Sequence, residues 1–226
     1  MSAYKKHTPL QIIMHIGAWF PVARLIFKAF TGGLTANPIQ YLEQQTGYAA
    51  IVFLFLSLAC TPLNSLFGWK ELLLRRRALG LYAFMYAVIH VVIFADLDYG
   101  LAWSLILETV LQKPYIVVGA LAFLLLIPLA VTSFDVWKVR LKKNWKRLHK
   151  VVYIIAPLVV LHYAWGRKGN FFALEGDVVQ PLIYGLTLAL LMTLRIPSVR
   201  KWLASTRTRL QVAVSKRSSS PETPRA

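Results

Sequence analysis

The chain has 226 residues, 57% of them hydrophobic and only 15% charged, and a mean hydropathy of +0.54 excludes an ordinary soluble domain and places it among integral membrane proteins. Six crossings of a bilayer core about 30 Å thick need roughly 120 helical residues, which leaves no room for a folded soluble domain, and neither GxGxxG nor GxxxxGK[ST] occurs. The formal charge of +17, from 26 Lys+Arg against 9 Asp+Glu, falls in the gaps between apolar runs, a placement that argues against nucleic acid as the partner.

In chain order the apolar runs predict six spans, at 9–30, 46–67, 78–96, 114–135, 148–165 and 180–196. They are rich in Leu and Ala and lack the short alternating segments of a barrel, so the expected fold is an all-α six-helix membrane bundle. The first run, behind Lys5 and Lys6, is read as a retained helix because no small-x-small cleavage site precedes Arg24 and Lys28. Cys60, the single cysteine, lies inside the second run as a small buried hydrophobe and rules out an intrachain disulfide or a CxxCH haem attachment. The stretch before the first span, the gaps after the second and fourth, and everything after the sixth, counted with Lys150 and Arg195 at the edges of their spans, hold 21 of the 26 basic residues. The positive-inside rule therefore predicts that both termini are cytoplasmic. The expected organisation is a transmembrane domain over 1–196 and a basic, disordered cytoplasmic tail over 197–226. No internal sequence repeat is evident.

Histidines carry the chemistry. His7 stands in the polar leader, whereas His15, His90, His149 and His162 stand in or at the edges of spans, where ionisable groups are costly and point to function. The third and fifth spans run the same way, so His90 and His162 come to similar depth toward the outer face. Two neutral imidazoles on different helices at one depth can supply both axial ligands of a haem iron; the competing reading is a pair of polar contacts between helices. His149 and His162 are 13 residues apart, about 19.5 Å along a helix and about 140° apart around it. Pro157 between them releases the carbonyl of Tyr153 and can kink the helix. Fourteen residues before His90, on the same face, stands Arg76, a partner for a haem propionate or an anionic lipid head rather than an iron ligand.

The stretches RRALGLYAFMYAVIH and HKVVYIIAPLVVLHYAW, with the loop TGGLTANPIQYLEQQTG, resemble the haem-binding membrane subunit of the periplasmic methionine-sulfoxide reductase system, the MsrQ family, within the ferric-reductase-like transmembrane group. The likeness runs from about His15 to Leu194. It implies b-type haem between the third and fifth helices, an association with FMN, a bacterial inner-membrane location, and electrons drawn from the quinone pool or a cytosolic flavin reductase. It further implies a molybdenum-containing periplasmic partner that reduces methionine sulfoxide in oxidised proteins. By position His90 and His162 match the outer haem pair and His149 an inner histidine. Arg76 stands where two-haem relatives have the fourth histidine, and His15 is a candidate substitute ligand. The expected role is an electron-transfer subunit with no substrate chemistry of its own. A proton or ion transporter using the same histidines, or an anchor without redox role, are the rival classes. The 97–113 and 166–180 loops are expected outside, where Trp103 and Tyr115 sit at the membrane interface and Arg167, Lys168, Glu175 and Asp177 set partner register.

Overall fold

A computed structural model of the chain describes residues 8–167, 169–170, 175–176 and 178–218. Helix α1, Pro9–Phe30, starts where Thr8 accepts the amide of Gln11 and Pro9 fills the first helical position. Helix α2, Pro38–Phe67, starts the same way, with the Asn37 side chain on the Gln40 amide, and ends on Gly68 at φ 75°, a left-handed cap open to glycine. It begins eight residues before the expected second span, so the second half of the TGGLTANPIQYLEQQTG segment is helix rather than loop. Polar side chains at its first turns hide a capped helix from a hydropathy reading.

Helix α3, Lys70–Val92, also begins early, which puts Arg75, Arg76 and Arg77 on its first turns instead of in a connection. It runs into a π-helical segment, Ile93–Asp98, and a turn in which Gly100 and Leu101 have positive φ. Part of the expected 97–113 loop is then a short helix, α4, Trp103–Gln112. Helix α5, Pro114–Val131, is followed by α6, Asp135–Leu148, which is broken at Lys142 (φ 47°), so the basic gap after the fourth run is helical. A 3-10 turn at His149–Val151 leads into α7, Val152–Trp165. The short strands β1, Gly169–Asn170, and β2, Glu175–Gly176, pair antiparallel. Helix α8, Val179–Thr193, and α9, Pro197–Ser218, complete the order. Residues 197–218 are thus helical where disorder was expected; 219–226 lie outside the described residues.

Five helices are long and apolar enough to cross a membrane, six if α8 and the α9 segment to Thr208, bent 76° from it, make one crossing. At 15 residues α8 rises only about 22 Å, short of the hydrocarbon thickness. Large apolar side chains point outward along the spans, among them Ile13, Phe27, Leu124 and Leu186. Water would not tolerate so continuous an apolar exterior, and lipid does. The chain is a multi-pass membrane protein.

Packing is densest between α2 and α3 and between α5 and α7, two helix pairs that form the frame for the site. In the first pair Phe53 stacks on Tyr86 at 5.4 Å, and the buried Tyr86 hydroxyl donates to the Ala18 carbonyl of α1 at 2.6 Å. In the second, Ile155 and Ala156 of α7 are fully buried.

Candidate haem-binding histidine pair

The geometry repeats itself in the two helix pairs. His90 of α3 donates from Nδ1 to the Glu43 carbonyl of α2 at 2.9 Å, and His162 of α7 donates from Nδ1 to the Tyr115 carbonyl of α5 at 2.6 Å, each bond spanning 47 residues. A carbonyl only accepts, so both rings carry their proton on Nδ1 and leave Nε2 with a free lone pair. Four residues beyond each acceptor stands a glycine on which the ring rests. A methyl at Gly47 would lie 3.4 Å from Nδ1 of His90; one at Gly119 would lie 2.5 Å from Nδ1 of His162. Glycine inside an apolar helix costs about 1 kcal/mol relative to alanine, and here it makes the space for a ring.

The two clamps bring the imidazoles together at 6.3 Å between centroids, with ring planes at 78°. A metal–nitrogen bond of about 2 Å, with a ring nitrogen about 1.2 Å from its own centroid, puts two trans imidazoles about 6.4 Å apart. The spacing would let the two imidazoles hold one metal ion between them. Among the described residues no three His, Cys, Asp or Glu side chains group to hold a metal; the pair offers two nitrogen donors, a set that would suit the iron of a porphyrin.

His149 repeats the pattern elsewhere. Its Nδ1 donates to the Trp145 carbonyl at 3.1 Å, its ring stacks on Trp145 at 4.0 Å, and Nε2 is buried without a hydrogen-bond partner. Trp145 is itself fixed by an Nε1 bond to the Thr132 carbonyl at 2.8 Å. Arg76 stands within electrostatic reach of His149 and of Arg195. A buried unpaired imidazole nitrogen is costly, which marks His149 as a candidate ligand position. His15 is placed differently: its Nδ1 meets the Tyr82 hydroxyl at 2.7 Å, tying α1 to α3.

The matching family model is that of the ferric reductase like transmembrane component, over residues 46–160. The heme-binding subunit MsrQ of protein-methionine-sulfoxide reductase from Xanthomonas euvesicatoria pv. vesicatoria (strain 85-10) is 40% identical over 190 residues, 81% of this chain and 84% of the relative. That from Herminiimonas arsenicoxydans is 40% identical over 190 residues, 84% of this chain and 85% of its own. The chain belongs to the MsrQ family.

Within this MsrQ chain the matched region holds both clamp glycines, His90 and His149, and stops two residues before His162. Outside it, Arg167 bonds Gln180 at 2.6 Å and Tyr163 at 3.3 Å; inside it, Trp103 is exposed at the start of α4. Lys168 and Asp177 lie outside the described residues, as do the side-chain surroundings of Glu175. Sequence reasoning missed Gly47, Gly119 and the carbonyls of Glu43 and Tyr115. The one available signal was glycine within an apolar run, clear for Gly119 but at the polar edge of its run for Gly47. Carbonyl partners 47 residues away carry none.

Proposed function

We propose that this chain is a haem-carrying electron-transfer subunit. It would take electrons from the quinone pool or a cytosolic flavin reductase and pass them to a periplasmic, molybdenum-containing methionine-sulfoxide reductase subunit that repairs oxidised proteins. The observation that supports it is the His90–His162 pair, 6.3 Å apart with both Nδ1 protons committed to carbonyls, together with relatives named as heme-binding subunits. A b-type haem held between the two Nε2 atoms would supply reversible one-electron transfer.

The chain's own residues do the rest. The Glu43 and Tyr115 carbonyls fix tautomer and ring direction and raise the donor strength of Nε2. Gly47 and Gly119 let the rings lie against the helices, and the apolar walls of α2, α3, α5 and α7 keep water out. His149, with Arg76 near it, offers one further imidazole nitrogen and a cation for the carboxylate or phosphate of a second haem or of FMN. Both termini face the cytoplasm in this reading, and the His90–His162 side faces the periplasmic partner.

Two measurements test it. Purified protein is expected to show a reducible b-type spectrum at a fixed haem-to-protein ratio. In membranes with quinol and the catalytic partner, the reduced haem band should reoxidise only when both partner and sulfoxide are present. A band that stays reduced while sulfoxide is consumed at full rate would sink the electron-transfer reading.

A further inference from the structure

On the face of α2 opposite the His90 clamp runs an open groove against α1, about 390 Å3 in volume and walled mainly by apolar residues including Met14, Phe20, Val52, Phe53 and Leu56. Its polar end lies on the same side of the molecule as His90. There Arg24, which lines the groove, donates to the Tyr41 hydroxyl at 3.2 Å, and Lys28 donates to the same oxygen at 2.9 Å. Among the described residues neither cation has an acid within ion-pair distance, since the ion pairs are Arg75–Glu71 and Arg77–Asp135. With its oxygen accepting two bonds, the Tyr41 hydroxyl has its proton left to donate. Three donors thus converge on one spot with no carboxylate paired to them among the described residues.

We infer that this groove binds one net-anionic phospholipid, with its phosphate against Arg24, Lys28 and Tyr41 and an acyl chain along the groove. Charge complementarity selects the occupant: two uncompensated cations favour a lipid of net negative charge over a zwitterionic one. The apolar walls select a chain-bearing phosphate over a free one. Gly17 lines the groove, and a methyl placed on it would meet nothing within 4 Å, so the space beside it is open. The site is independent of haem. Its occupant would brace α1 against α2 behind the helix that carries the His90 acceptor.

The test uses the full chain, purified in a phosphate-free detergent and titrated with palmitoyl-oleoyl phosphatidylglycerol or phosphatidylethanolamine, with lipid adducts counted by native mass spectrometry. One phosphatidylglycerol is expected to be retained at least about tenfold more tightly than phosphatidylethanolamine. The double variant Arg24→Gln/Lys28→Gln, and separately Gly17→Leu, which fills the groove, should each lose about that factor, while Arg24→Lys should keep the lipid. Tryptophan-fluorescence melting identifies any variant that fails to fold, and the two loss-of-binding variants perturb different elements of the site. Equal retention of the two lipids, or undiminished binding in the folded double variant, overturns the proposal. So does displacement of phosphatidylglycerol by inorganic phosphate, or undiminished binding in folded Gly17→Leu, either of which leaves only an anion site without a chain groove.

Discussion

An imidazole ligates a metal well only when its other nitrogen is held, and here the holding group is backbone. If the proposed pair holds haem, replacing His90 or His162 by Ala is expected to abolish most of it, because one of its two ligands would be gone. Unchanged haem content and spectrum in both variants would exclude the pair. His149→Ala should leave the band lost in those variants in place, and a spectrum identical to that of His90→Ala would show that His149 serves the same site. The glycines make a sharper test, since they offer no ligand atom and bear only on where the rings lie. A methyl at Gly119 would fall 2.5 Å from His162, whereas one at Gly47 would fall 3.4 Å from His90. Gly119→Ala should therefore turn the His162 ring off the Tyr115 carbonyl and weaken haem retention about 10–100-fold, with Gly47→Ala much milder. Haem dissociation rates of the two variants check the order, and equal rates would count against ring positioning by Gly119.

At the scale of elements, prolines inside helices expose carbonyls that something must cover. Pro62 in α2 cannot donate to the carbonyl of Leu58, and Arg195, just past α8, fills the gap. Its Nη2 and Nε reach the Leu58 oxygen at 2.6 and 3.1 Å, while Nη1 donates to Tyr153 of α7 at 2.7 Å. One guanidinium therefore ties three helices, reaching α7 at Tyr153, four residues past His149. Arg195→Gln should leave the buried carbonyl poorly paired and cost about 1–3 kcal/mol, seen as a lowered Tm in detergent. A Tm within a degree of the parent would mean the carbonyl finds another donor. The π-helical segment at Ile93–Asp98 follows His90 by three residues; such segments gather at functional sites, and this one redirects the chain toward α4.

For the whole molecule, the partition of basic residues sets an expected orientation, and reporters fused within the 219–226 segment and within α4 should report opposite sides of the membrane, the former cytoplasmic. A C-terminal reporter active only in the periplasm would reverse the proposed flow of electrons. How far the site could be read from sequence varies by residue. Hydropathy sufficed for most of the spans and for bringing His90 and His162 to similar depth, because both follow from counting along helices. It failed at the start of α2, where polar QYLEQQ is helical by virtue of its Asn-Pro cap, and at α9, where Pro197 starts a helix whose Arg207 docks on the Asn64 carbonyl at 3.1 Å.

Composition and periodicity by themselves determined that this is a helical multi-pass membrane protein and where most spans lie, since a bilayer accepts only segments of a certain length and apolarity. Tertiary structure alone decided which helices pair, which ring nitrogen carries the proton, and which glycine faces which histidine. It also decided that His15 meets Tyr82 and that Arg195 covers the gap left by Pro62. Those are relations between residues tens of positions apart. Each depends on the rotation of one helix against another, which packing sets and local sequence does not encode.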